Sequence, residues 1–337
     1  MKTIQSSNTD SIDNYAIVEA PRPEPRRGEV RVQVEMCGIG YVDSLVALGR
    51  YQVKPKLPHT PGVEVAGVID AIGEDVTAVA VGDRVLATVG GGFAEYALSS
   101  AQTVKRIPET MSFAQAAGFQ VNYVTAMHGL RDRGALKAGE TLLVFGAAGG
   151  VGLAAVEVGK ALGARVIGVA SSEEKRQLVL DAGADLVIDR EEDGWRDRLK
   201  ALIPDGLDVV FDPACGALME PAFRSLSWRG RYLIVGFVGG DIPSLRVNLP
   251  LMKGAALLGV DYRQFSQVFE PGEADAMLTD LLDLVASGKL AVPTGRVFDF
   301  EDYKQALTFA LSGKGVSKTL LRIPSDGEAP QANDPNN

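Results

Sequence analysis

Apolar and polar positions follow two different rules along this chain. Between Glu29 and Met36, Val30, Val32, Val34 and Met36 alternate with Arg31, Gln33 and Glu35, the period of a half-buried antiparallel strand. Cys37-Gly38-Ile39-Gly40 is expected to break it. Further strands are expected at 63–72, bounded by Gly62 and Gly73, within 81–85, which reads as turn and strand, and at 93–98 after Gly90-Gly91-Gly92. Residues 1–14 are polar and carry no pattern. The first third is thus β-rich, without strand-helix-strand alternation.

From about Ser112 the rule changes to helix and then to repeated strand and helix. Short apolar runs at 141–145, 164–169, 185–188, 207–211, 231–235 and 256–260 predict six parallel strands, with helices between most of them. The stretch 236–253 shows no helical period. A helix is expected at 273–287, with Leu278, Leu281, Leu282 and Val285 inward, then a short strand around 297–300, a helix at 303–311 and a last strand at 319–323. The fold class is α/β: a β-rich domain beginning at 1–124, a doubly wound six-stranded domain at 125–262, and a return to the first domain at 263–323. Residues 324–337, rich in Pro, Asn and Asp, are expected to be a disordered tail.

The stretch from Thr141 to Lys175 carries the first candidate chemistry. Leu142 to Phe145 reads as a buried strand; Gly146, Gly149 and Gly152 follow at spacing three; Val151, Ala154, Ala155, Val158 and Leu162 then line one side of a helix that Gly163 ends. Such glycines permit a tight turn and let backbone N–H groups approach a pyrophosphate at the helix N-terminus. The spacing is G-x-x-G-x-x-G, so the strand before it and the helix after it supply most of the specificity. A turn without ligand is the alternative. Dinucleotide sites for NAD place an Asp or Glu about 20 residues further on, against the ribose 2′-hydroxyl. Here the strand ends in Ala170, Ser171 and Ser172, followed after two glutamates by Lys175 and Arg176. Hydroxyls and a cation suit a 2′-phosphate, which makes NADPH the expected cofactor. Glu173 and Glu174 read as a solvated first helical turn, and Arg176 fits either role.

Length and composition narrow the remainder. At 337 residues the chain is long enough for two domains, and 46% apolar against 23% charged residues is the balance of an ordinary globular protein. The net charge of −9 leaves no basic concentration for nucleic acid, and no apolar stretch is long enough to cross a membrane. Two cysteines, Cys37 and Cys215, cannot build a disulfide framework and suit the reducing cytoplasm.

With these pieces placed, the sequence resembles the medium-chain dehydrogenase/reductase superfamily, and within it the zinc-free quinone oxidoreductases. The matching stretches are CGIGYVDSL (37–45), GRYQVKPKLPHTPGVEVAGVI (49–69), GGFAEYA (91–97), VNYVTAMHGL (121–130), the glycine fingerprint and GKGVSKTLL (313–321). The resemblance implies a GroES-like catalytic domain, an inserted Rossmann domain, a cleft between them, and a homodimer or tetramer paired through the Rossmann sheet edge. It also argues against zinc. Gly40 and Val63 stand where zinc-dependent relatives carry a Cys and a His ligand, the four clustered cysteines of a structural zinc site are missing, and His59 and His128 have no chelating spacing.

What the resemblance implies for chemistry is hydride transfer to a small acceptor activated by its own conjugation, a quinone or an α,β-unsaturated carbonyl. Tyr51 matches a tyrosine beside the nicotinamide, and Tyr41 is either a second hydroxyl donor or a packing aromatic. Asp43 is expected to bond nearby backbone. Thr125 matches a threonine near the nicotinamide ribose, Gly149, Gly150 and Val151 the pyrophosphate turn, and Ser171, Ser172 and Lys175 the 2′-phosphate pocket. Arg190 stands where relatives stack a Tyr or His on adenine. Gly236, Phe237 and Tyr262 match contacts to the nicotinamide amide, and Lys318 reaches the cofactor from the last strand. Gly40 replaces an asparagine common in relatives, which removes an amide and enlarges the pocket. Two other readings share these residues: an enoyl-thioester reductase, and a protein that binds NADPH without catalysis.

Overall fold

The structure, a computed structural model, describes residues 1–189 and 194–324. Two compact units form: Met1–Gly118 with Gly295–Lys314 and the chain from Thr319, and Phe119–Thr294 with Gly315–Lys318.

In the first unit, β1 (Lys2–Gln5) and β2 (Ala16–Glu19) make a small antiparallel pair. The long strand β3 (Glu29–Ile39) organises the rest, with helix α1 (Tyr41–Ala47) after it. Strands β4 (Glu64–Ile72), β5 (Arg84–Thr88), β6 (Tyr96–Ser100) and β7 (Lys105–Arg106) follow, and α2 (Phe113–Ala117) closes this part behind its cap, Ser112. Strand β3 pairs antiparallel with β4 along most of its length, with β6 through 29–33, and with the last strand through 36–39. It runs three residues past the expected break because Cys37, Gly38 and Ile39 find partners in that last strand. Val30, Val32 and Val34 are buried as their alternation requires. Arg31 is buried too, on the opposite parity, because Asp70 takes its Nε at 2.9 Å and Glu24 its Nη1 at 3.0 Å.

The second unit opens with α3 (Gln120–Met127) and a π-helical turn, His128–Arg133. Strands β8 (Thr141–Val144), β9 (Arg165–Ala170), β10 (Leu186–Asp189), β11 (Leu207–Asp212), β12 (Leu226–Ile234) and β13 (Ala256–Gly259) form one parallel sheet, in the order β10-β9-β8-β11-β12-β13. Helices α4 (Gly150–Ala161), α5 (Glu173–Asp181), α6 (Trp195–Leu202) and α7 (Met219–Arg224) connect the first five strands. The strand order reverses between β8 and β11, and at such a switch point the carboxyl ends of the strands leave a crevice for ligands. One face is filled by Leu143, Ile167, Ile188, Trp195, Leu199 and Phe223.

A short helix, α8 (Asn248–Lys253), lies where the pattern predicted none; Pro250 stands inside it, and only Leu249 is buried, so it shows no amphipathic stripe. After β13 and a second π-helical turn (Gln264–Phe269), α9 (Pro271–Ala286) buries Met277, Leu278, Leu281 and Leu282. The sequence places the return to the first domain at 263, whereas the chain stays with the second unit to Thr294. The reason is packing: α9 lies on α3, and Ala291 donates its N–H to Glu157 of α4 at 2.8 Å. Likewise α3 belongs here from Phe119, before the expected boundary at 125. Strand β14 (Val297–Phe298), helix α10 (Tyr303–Ser312) and β15 (Thr319–Arg322) complete the first unit, where β15 is the last strand that pairs β3. Among the described residues no helix is long and apolar enough to cross a membrane. Of the expected tail, 324–337, all but Pro324 lies outside the described residues.

Candidate cofactor-binding site

The glycine turn links β8 to α4. Gly146 has φ +55, a left-handed conformation that costs other residues, and Gly149 caps α4 in an extended conformation. A Cβ on Gly152 would stand 2.1 Å from the carbonyl oxygen of Gly146, so only glycine lets the helix start this close to the strand. The turn is held by Gly149 N–H to Gly146 O at 2.9 Å and by Ala147 N–H to Val169 O at 3.2 Å. Gly150 and Val151 begin α4, and amides of a first helical turn have no acceptor in their own helix. They present donors and the positive end of the helix dipole to an anion.

Two further segments close on this turn. The side chain of Asn122 on α3 lies against Gly150, where a Cβ would come 2.7 Å from its Nδ2. Thr125 stands one turn further along α3, buried, with Oγ1 donating to Val121 O at 2.5 Å. From the far end of the chain, Ser317 donates N–H to Ala148 O at 2.8 Å and pairs with Gly149 in a parallel bridge. The buried Lys318 is therefore the next residue along from the turn. Asn122 and Ser317 were not singled out from sequence. Asn122 lies inside a matching stretch, but nothing in its spacing distinguishes it from a helix-surface amide.

Ser171 and Ser172 follow β9. Ser172 caps α5, its Oγ accepting the Lys175 N–H at 3.3 Å. Glu173 and Glu174 are exposed in the first turn. Arg176 is engaged: Nη1 donates to Asp189 Oδ2 at 2.6 Å and Nη2 to Glu173 Oε2 at 2.6 Å, and these carboxylates, Glu173 foremost, raise its pKa. Of the two roles open to Arg176, the structure shows the one of an ion-paired helix residue. Arg190 lies outside the described residues.

The next strand ends in a buried acid. Asp212, last residue of β11, accepts Ala214 and Cys215 N–H at 2.8 Å each on Oδ1 and the Tyr232 hydroxyl on Oδ2. Burial and the Asp212 charge push the Cys215 thiol up to about 12 and raise Tyr232 further. This cluster fixes the loop containing Pro213. Pro213 Cγ lies 3.7 Å from a Cβ position on Gly146, and Pro213 O lies 3.0 Å from one on Gly236. Gly146 and Gly236 thus flank one proline at the switch point. Phe237, beside Gly236, is 43% exposed. Phe237 and Tyr262 each come three residues after the paired Ile234 and Gly259, so they leave the sheet at one level.

Tyr41 and Tyr51 belong to the first unit, the cofactor candidates to the second. Both tyrosines are half-buried, and neither phenol has a hydrogen-bond partner among the described residues. Tyr41 begins α1; its cap residue Gly40 donates N–H to the buried Asp43 carboxylate at 2.7 Å, the structural role expected of that acid. The histidines are engaged elsewhere: His59 Nδ1 bonds the Tyr15 hydroxyl at 2.7 Å, and His128 Nδ1 bonds Asp132 at 3.0 Å while stacking on Phe265.

Two family descriptions match: "Alcohol dehydrogenase GroES-like domain" over residues 26–109 and "Zinc-binding dehydrogenase" over residues 150–279. Among the described residues no three His, Cys, Asp or Glu side chains stand close enough to share an ion. The chain is 35% identical to quinone oxidoreductase-like protein 2 of Bos taurus, over 91% of this chain and 89% of the relative. It is 37% identical to quinone oxidoreductase of Sus scrofa, over 89% and 91% of the two chains. The quinone oxidoreductase of Thermus thermophilus, solved alone and in complex with NADPH, superposes with a TM-score of 0.83 at 31% identity, over 96% of this chain and 100% of that one. A GroES-like unit with a Rossmann sheet defines a nicotinamide-dependent oxidoreductase. The chain belongs to the medium-chain dehydrogenase/reductase superfamily, in its quinone oxidoreductase-like group.

Proposed function

We propose that this protein is an NADPH-dependent reductase of quinones or α,β-unsaturated carbonyls that works without zinc. The observation that carries the cofactor choice is the end of β9, where Ser171 and Ser172 stand in place of a carboxylate and Ser172 orders the first turn of α5 under Lys175. A carboxylate there would repel a 2′-phosphate, while two hydroxyls and an ammonium bind it.

The chain's own residues have three tasks. Gly149, Gly150 and Val151 hold the pyrophosphate on backbone amides, with Gly146 shaping the turn; Ser171, Ser172 and Lys175 hold the 2′-phosphate; Thr125, Gly236, Phe237, Tyr262 and Lys318 orient the nicotinamide end. Held by these residues, a reduced nicotinamide would supply the hydride for the electrophilic carbon of the acceptor. Tyr51, with Tyr41 as the second candidate, donates a hydrogen bond to the acceptor oxygen as charge develops on it, and a proton from solvent completes the reduction. A conjugated acceptor delocalises that charge itself, so one hydroxyl serves where alcohol oxidation relies on a metal.

A second copy of the chain is the proposed partner. Trp228 is 71% exposed, Leu251 81% and Met252 70%, all near the open edge strand β13, where a two-fold pairing of sheets would cover them. Light scattering that gives twice the chain mass tests this. Two free, buried cysteines fit a cytoplasmic protein. NADPH and NADH oxidation against a panel of quinones and enones tests the reading as a whole; turnover by neither cofactor would refute it.

A further inference from the structure

We infer that Arg263 binds an anionic group on the acceptor, and that the preferred substrates are quinones or enones carrying a carboxylate or phosphate. This rests on the reductase reading above and names its substrate class. Arg263 follows Tyr262 where the chain leaves β13, at the carboxyl end of the parallel sheet, the end on which Gly146, Pro213 and Gly236 converge. It is half-buried. The other arginines withdrawn from solvent among the described residues are all paired. Arg31 bonds Asp70, Arg84 the carbonyl of Met111, Arg176 Asp189, Arg224 Glu220 and Arg231 Glu140. Arg263 has no hydrogen-bond or ion-pair partner among the described residues, and its Nε is shut off from water with its hydrogen unused. One turn on, the Ser266 hydroxyl is buried and unpartnered as well.

An uncompensated guanidinium is costly to hold in a partly dry place, and a chain with 43 acidic residues against 34 basic ones has carboxylates to spare for it. Leaving it unpaired next to Tyr262, at the carboxyl end of the sheet, is explained if the acceptor brings the missing anion. A guanidinium presents a planar fork of donors that suits carboxylate and phosphate alike. The net charge of −9 repels anions at long range, so a preference for a charged acceptor requires a local cation.

The test compares 4-phenyl-3-buten-2-one with its para-carboxylate, using the full-length protein and saturating NADPH. The expected result is a kcat/KM at least tenfold higher for the carboxylate, carried by KM, with the ratio falling to about one in Arg263→Gln. Because the readout is a ratio within one protein, a general loss of activity cancels. A wild-type ratio of one or less, or a ratio that Arg263→Gln leaves intact, overturns the proposal. So does a rise in KM for NADPH that is equal with both acceptors, which would make Arg263 a cofactor residue. Turnover of the neutral enone alone leaves the reductase reading standing and sinks the anion site; turnover of neither enone sinks the anion site, and the reductase reading falls with it only if quinones are not reduced either. If Arg263→Gln does not fold, the wild-type ratio is followed with salt and compared with Arg263→Lys. It falls with rising ionic strength and is reduced in the lysine variant if the contact is a bidentate ion pair; a ratio flat in both overturns it.

Discussion

Tyr123 donates its phenol hydrogen to the buried carboxylate of Glu157, tying α3 to α4 directly behind the glycine turn. Glu157 also accepts the Ala291 N–H at 2.8 Å, so one acid joins the two helices to the segment that leads back to the first unit. Burial holds Glu157 above the usual carboxylate range and Tyr123 well above the usual phenol range. Removing the donor leaves a buried carboxylate short of one hydrogen bond, a loss of about 1.5–3 kcal/mol. Tyr123→Phe is therefore expected to lower unfolding free energy by that amount in urea titration. Glu157→Gln, which turns an amide donor toward existing donors, is expected to cost more. A Tyr123→Phe effect under about 0.5 kcal/mol would show that the pair is not buried as described.

Gly152 and Gly149 make an internal control. A methyl on Gly152 meets the Gly146 carbonyl at 2.1 Å, whereas one on Gly149 meets the same oxygen at 3.3 Å. Gly152→Ala is expected to displace α4 and abolish NADPH binding by fluorescence titration. Gly149→Ala is expected to bind within about tenfold of wild type, since its extended conformation suits alanine. Equal effects would contradict the close approach of helix and strand.

Stability is expected to fall on the alkaline side. The Cys215 thiol is pushed from 9.0 up to about 12, Tyr15 from 10.0 up to about 12, and Tyr232 is raised as well. Each group has a folded pKa above its unfolded one, so its contribution is complete below the unfolded value and is lost as pH climbs toward the folded value. Between about pH 9 and 12 the unfolded chain releases protons first, at about 1.4 kcal/mol per pH unit for each group. Melting temperature should drop steeply between about pH 9 and 12, and less so in Cys215→Ala. A flat profile would mean that these groups are solvated.

Much of the second unit was legible because its strands are buried on both faces and its glycines have one steric explanation. The strands from 141 to 260 fall within a few residues of expectation, apart from β12, which starts earlier at Leu226. The first unit was harder. The end of β3 at Cys37 to Ile39 depends on a strand almost 300 residues away, and no local pattern announces that partner. Strand β1 went unseen because only Thr3 and Ile4 are buried in a polar stretch, and α1 because its seven residues bury only Asp43, Ser44 and Ala47. In the site, Ser171, Ser172 and the glycines announce themselves by position. The roles of Asn122, Ser317 and Asp212 arise from contacts between distant segments, which spacing does not encode.

Ser172→Asp places a carboxylate at the position proposed to select the cofactor without removing the helix cap, because Asp caps as well as Ser. The variant is expected to fold normally and to shift the NADPH to NADH ratio of kcat/KM toward NADH by at least tenfold. An unchanged ratio would move the 2′-phosphate elsewhere.

The most direct measurement is the oxidation of NADPH and of NADH by the unmodified protein, followed by absorbance with a quinone and an enone as acceptors. Turnover with NADPH at a kcat/KM at least tenfold above that with NADH is the expected result if Ser171, Ser172 and Lys175 hold the 2′-phosphate as proposed. Equal use of both cofactors, or a preference for NADH, would contradict the reading of the β9 end on which the proposed function stands.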